Sequence, residues 1–273
     1  NEESNMFGLE PNFGCCTANM HQGWPKLTLH AVQRQEDGFC IAHLLPVSVD
    51  TELAGKAASI RVETDYPFRL AGRITVTCPE GASFALKIRI PAWAKDVRVN
   101  GRRARVRQGH ISLNKRWQGT QVLTLELADA PRFVRRPTGL KTVEYAPLAF
   151  SLPIDAEYRM REYTRDGVER KYPYCDYELY PESAWNFGFA DDCLSVEERP
   201  LDDVPFSSKR PALAVHASLA PAAWPWEDGF DTVPAVKPES SLPCGESREM
   251  ALIPYGCAKL RMTELPRLKK RAE

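Results

Sequence analysis

Between residues 39 and 152 the chain keeps returning to one pattern, the alternation of apolar and polar side chains. Ser59-Ile60-Arg61-Val62-Glu63-Thr64, Arg73-Ile74-Thr75-Val76-Thr77 and Phe84-Ala85-Leu86-Lys87-Ile88-Arg89-Ile90 follow it, as does Gln121-Val122-Leu123-Thr124-Leu125-Glu126-Leu127. A period of two sends alternate side chains to one face of an extended strand, so each run carries an apolar face to bury. Phe39 to Leu45 is apolar on nearly both faces, which predicts a fully buried strand. His110 to Leu113 and Val143 to Leu152 add further short strands, and Asn100-Gly101 is the signal of a two-residue hairpin turn. Strands this short and close together satisfy their backbones by pairing with one another. The pattern predicts a mainly β fold, a jelly-roll-type β-sandwich.

Composition agrees. Of 273 residues 43% are hydrophobic and 26% charged, as in a folded globular chain, and 22 prolines against 16 glycines favour sheets and ordered loops over long helices. Lys+Arg and Asp+Glu both number 36, so no net field favours nucleic acid or an anionic membrane surface. No apolar run approaches the roughly 18 residues of a membrane span. After Ile154 the texture changes. Residues 156–182 read as an extended, charged connection. Sparser strands follow at Trp185–Phe189, Ala212–Ala217, Glu249–Pro254 and Lys259–Thr263, and a Pro- and Trp-bearing loop runs from Pro221 to Pro243. The basic tail Arg267–Arg271 reads as a solvated end. The expected organisation is an N-terminal piece over 1–36, a middle β-sandwich over 37–155 and a smaller β domain over 156–273.

The densest chemistry lies at the start, in Gly14-Cys15-Cys16-Thr17-Ala18-Asn19-Met20-His21-Gln22-Gly23-Trp24-Pro25. Thr17 is a fitting N-cap for a helix from Ala18 to about Gln33 that Pro25 kinks or splits. Met20, Trp24, Leu27 and Val32 would form its apolar side. Adjacent cysteines rarely bond each other, because the small ring strains the disulfide. The eight cysteines have irregular spacing and no CxxC pair, so they read as mostly reduced thiols, which favours a reducing compartment slightly. The chain opens at Asn1 directly into this stretch, and so reads as a fragment.

These stretches resemble the glycoside hydrolase family 127 group, the β-L-arabinofuranosidase-like enzymes. Cys15 to Asn19 with His21 to Lys26 is similar to that group's paired-cysteine motif. Glu63-Thr64-Asp65-Tyr66-Pro67-Phe68, Leu86 to Trp93 and Val99-Asn100-Gly101 resemble its middle β-domain, and Trp185-Asn186-Phe187 and Leu252 to Arg261 its closing domain. The resemblance implies that 1–36 is the end of an (α/α)6 toroid, truncated here. It also implies a retaining mechanism on L-arabinofuranose or a related sugar of a plant-type glycan. Cys15 would be nucleophile and zinc ligand, and Cys16 a second ligand of the Zn2+. The remaining ligands and the acid/base would lie upstream, leaving this chain inactive by itself.

Blander readings stand beside these. The cysteine pair could be two small buried hydrophobes, or a redox pair. Asn19 and His21 could bind substrate or merely hold the helix and its surroundings. The β-domains could dock carbohydrate without chemistry. Cys40, Cys78, Cys175, Cys193, Cys244 and Cys257 read as core or loop thiols, and Trp93, Trp117 and Trp185 as core fillers. Trp224 and Trp226 sit in a Pro-rich loop, where an exposed ring could stack on a sugar.

Overall fold

The computed structural model describes residues 5–8, 14–53, 55–227, 229 and 233–269. The chain forms two compact units, one of Met20–Ala130 and one of Asn1–Asn19 with Pro131–Glu273. Both are mainly β, as the alternation requires.

In the first unit the framework is a long antiparallel pair, Ala71–Arg89 against His110–Ala128, in register from Ala71↔Glu126 to Arg89↔His110. A register shift between Cys78 and Ala82 divides the pair into halves. The half before it pairs with Lys56–Thr64, which pairs in turn with Val47–Leu53. The half after it takes Gly38–Ile41 as a parallel neighbour, and Val32–Gln35 closes that edge. Among the described residues this makes an eight-stranded sheet, whose buried side chains are those the alternation marks. Ile60, Val62, Ile74, Val76, Leu86, Ile88, Leu123 and Leu125 share one core with Trp117. Trp117 stacks on Phe84 and donates its indole N–H to the Phe84 carbonyl at 3.1 Å.

Gly38–Ile41 is buried along its whole length, as a strand apolar on both faces requires, but the strand expected to reach Leu45 ends at Ile41. Its first residue has to be glycine. Gly38 has φ +152°, and a Cβ there would overlap the carbonyl oxygen of Ala85 on the parallel neighbour. Asn100 (φ 51°) and Gly101 (φ 72°) form the expected hairpin turn between Asp96–Val99 and Arg102–Arg103.

The second unit holds a seven-stranded sheet among the described residues. Its order is Arg132–Arg135, Lys141–Tyr145, Leu148–Pro153, Arg248–Pro254, Leu213–Pro221 and Phe187–Glu198, with Arg261–Met262 pairing at Leu148–Pro153. Its strands come from both sides of residue 155. Residues 156–182 are not a mere connection. Ala156–Arg161 and Asp176–Pro181 pair in register, and Tyr163–Arg165 turns back on Val168–Arg170. The turn is Asp166-Gly167, both at positive φ, a hairpin signal hidden by the charged residues around it. The basic tail is also no solvated end as far as Lys269. Leu268 is buried, its N–H bonds the Phe189 carbonyl, and the Lys269 N–H bonds that of Ser241. Lys270 and Arg271 lie outside the described residues.

Candidate functional site: the Cys15–Cys16 pair

The chain enters this region through a strand. Met6–Phe7 pairs with Asp176–Pro181 at Met6↔Glu178 and Phe7↔Tyr177. Asn5 fastens its start: the Asn5 side-chain amide donates to the Leu179 carbonyl at 3.2 Å, and the Leu179 N–H returns to the Asn5 carbonyl at 3.0 Å. Residues 9–13 lie outside the described residues.

The single helix expected from Ala18 to Gln33 is two short ones, Gly14–Met20 and Gly23–Leu29, with Val32 already in a strand. Pro25 explains the break. In a continuous helix its missing N–H would leave the His21 carbonyl unpaired and its ring would strike that turn. Restarting the helix at Gly23 puts Pro25 in a first turn, where no N–H is needed. Cys15 and Cys16 therefore lie inside the first turn of a helix that begins at Gly14, and Thr17 is inside it rather than its cap.

Both thiols are exposed, which removes the reading as buried small hydrophobes. Their sulfurs lie 3.7 Å apart. Two thiolates sharing a tetrahedral zinc at about 2.3 Å each would have sulfurs about 3.8 Å apart, so the donor pair fits such an ion as it stands. Asn19 follows Cys15 by one helical turn, on the same face and exposed. His21 sits in the turn between the helices, exposed, its carbonyl accepting the Trp24 N–H at 3.3 Å. It falls in the other compact unit from Cys15, Cys16 and Asn19. Among the described residues no three His, Cys, Asp or Glu side chains gather as a metal site.

The other cysteines differ from the pair. Cys40, Cys78, Cys175 and Cys257 are buried and unbridged, and burial pushes the Cys257 thiol up to about 11, the opposite of a reactive thiolate. Met20, Trp24 and Leu29 are 72%, 68% and 77% exposed, so the apolar side of the two short helices is open rather than packed.

A polar group that the sequence did not mark lies on the seven-stranded sheet. His216 Nε2 is 2.7 Å from Glu197 Oε2, and its Nδ1 is 3.5 Å from Glu249 on the other neighbouring strand. Arg199 donates to the same Glu197 oxygen at 2.7 Å. The Arg199 bond, then the His216 bond, hold the Glu197 carboxyl down to about 2. Strand pairing between distant segments creates this cluster, and no local spacing announces it. Trp224, expected exposed, is buried and donates its indole N–H to the Ala235 carbonyl at 2.7 Å.

Both β units fall within the part of the chain that solved structures share. Residues 41–128, within the first unit, match the family described as beta-L-arabinofuranosidase, GH127 middle domain. Solved structures share the fold. A GH127 beta-L-arabinofuranosidase from Geobacillus stearothermophilus T6 matches with TM-score 0.61 at 17% identity, over 92% of this chain and 36% of that one. A GH127 beta-arabinofuranosidase matches at 0.60 and 17% identity, over 92% and 38%. A glycoside hydrolase matches at 0.57 and 16% identity, over 96% and 41%. The chain thus spans about two fifths or less of their lengths. No curated protein matches it.

Proposed function

We propose that this chain is the β-domain part of a retaining glycoside hydrolase acting on L-arabinofuranose or a related sugar, with Cys15 as nucleophile. One observation carries the reading: a pair of exposed adjacent thiols whose sulfurs stand at zinc-sharing distance, in a chain whose residues 41–128 match a GH127 middle domain.

A thiol is a poor nucleophile until it loses its proton. Zinc held by Cys15 and Cys16 would supply that, since a coordinating thiol is deprotonated outright. Cys15 would then attack the anomeric carbon. Its C–S bond forms as the glycosidic C–O bond breaks, and an acid/base group protonates the leaving oxygen. Water next attacks the same carbon, the C–S bond breaks, the thiolate is restored and the acid/base recovers its proton. Two cysteines fill half of zinc's tetrahedron. The other ligands and the acid/base would come from the longer protein, so these residues alone would not hydrolyse a glycoside. Asn19, on the Cys15 face of the helix, would contact the sugar.

The test is hydrolysis of an aryl β-L-arabinofuranoside by the full-length gene product. Cys15→Ala is expected to lower kcat by at least about a thousandfold, as loss of a covalent nucleophile does. Undiminished turnover would reject the assignment.

A further inference from the structure

We infer that a cavity in the second compact unit is a binding subsite for a sugar residue bearing a carboxylate. The cavity measures about 420 Å³, enough for one or two sugar rings, and it is open to solvent on one side. Trp185, Trp226, Tyr255, Lys259 and Arg261 line it.

Its walls are aromatic. The Trp185 and Trp226 rings lie 4.4 Å apart between centroids, with Trp185 buried and Trp226 half-buried. Trp224 supports Trp185 from 5.8 Å and is itself pinned through its indole N–H. A backed, partly open indole offers the flat apolar surface on which the C–H face of a sugar ring stacks. The indole N–H groups of Trp185 and Trp226 have no acceptor among the described residues, whereas those of Trp117 and Trp224 do.

Its charge is one-sided. Among the described residues lining it none is acidic. Arg261 is held in place by its bond to the Lys259 carbonyl at 2.8 Å and by stacking 3.5 Å from the Tyr255 ring centroid. Lys259 lies exposed, 5.5 Å from the centroid of Tyr158. Neither cation has a carboxylate partner among the described residues, whereas Arg159 and Arg161 pair with Glu157 and Glu178. Two indole donors, a guanidinium and an ammonium around an aromatic floor complement a ring that is rich in acceptors and carries negative charge. A uronate residue has that chemistry. A neutral pentose would leave both cations without a partner.

Trigalacturonate titrated into this chain should quench its tryptophan fluorescence saturably. The methyl ester of the same oligomer and neutral arabinotriose should bind at least about tenfold more weakly, because each loses the charge-assisted bonds. Trp226→Ala should abolish binding, and Lys259→Gln with Arg261→Gln should weaken the acid while leaving the ester unchanged. Lys259→Gln alone, at an exposed position, retains the fold as a control and should give a partial loss. Equal affinity for acid and ester overturns the charge assignment. Equal affinity for phenylacetate, a ring and charge without hydroxyls, overturns the sugar assignment. Absence of any binding overturns the site. None of these readouts depends on hydrolysis, so they stand or fall separately from the role of Cys15.

Discussion

At the scale of single residues, Glu197 and Cys16 make opposite kinds of statement. Glu197 is held near pH 2 by Arg199 first and His216 second, against an ordinary value of 4.5. A depressed carboxylate contributes to stability above its unfolded value, and the contribution fades as pH falls from 4.5 toward 2. A carbon-detected NMR titration should therefore find the Glu197 midpoint near 2, with Arg199→Gln raising it more than His216→Gln does. A wild-type midpoint above 4 would contradict the assigned pairing. Cys16 carries the proposed metal role. Losing an outer partner of a metal ligand costs about 10–100-fold in affinity, so losing a ligand itself costs at least that. Zinc competition on the full-length gene product should show Cys16→Ala binding at least about tenfold more weakly than wild type. Equal affinity would remove Cys16 from the metal site.

These two residues also mark what a sequence can and cannot announce. Cys15-Cys16 was visible because its chemistry is contiguous, and a helix preserves neighbours. Glu197, His216 and Glu249 were not, since three strands bring them together from separate parts of the chain. The same holds for Trp185 and Trp226, which approach only after the loop between Pro221 and Pro243 has folded back.

At the scale of elements, the period-two runs carried over directly. Ile60 faces Val76 and Val62 faces Ile74 across one register, all buried on one side. A charged run such as 156–170 hid its strands because exposed hairpins need turn chemistry rather than an apolar face, and Asp166-Gly167 supplied it. The helical segment failed for a different reason: periodicity weighs apolar residues but not the single missing N–H of Pro25. Two tryptophans test the contrast between a packed and an open element. Trp117 is fully buried between strands, so Trp117→Ala should cost about 3–5 kcal/mol in urea unfolding. Trp24 stands open on its helix, so Trp24→Ser should change the stability of this chain by no more than about 0.5 kcal/mol. A large loss at Trp24 would mean that the helix face is covered.

At the scale of the whole molecule, the unit Met20–Ala130 carries the match to a GH127 middle domain, while the proposed chemistry rests on two thiols that belong to the other unit. The chain spans about two fifths or less of the structures it resembles. The central claim is that Cys15 forms the covalent bond to the sugar. It is tested most directly by treating the full-length gene product with an epoxide analogue of L-arabinofuranose and mapping the adduct by peptide mass spectrometry. A single thioether adduct of the ring-opened analogue is expected on the Cys15 sulfur, absent from Cys15→Ala. An adduct on a carboxylate, or inactivation that leaves Cys15 unlabelled, would contradict it.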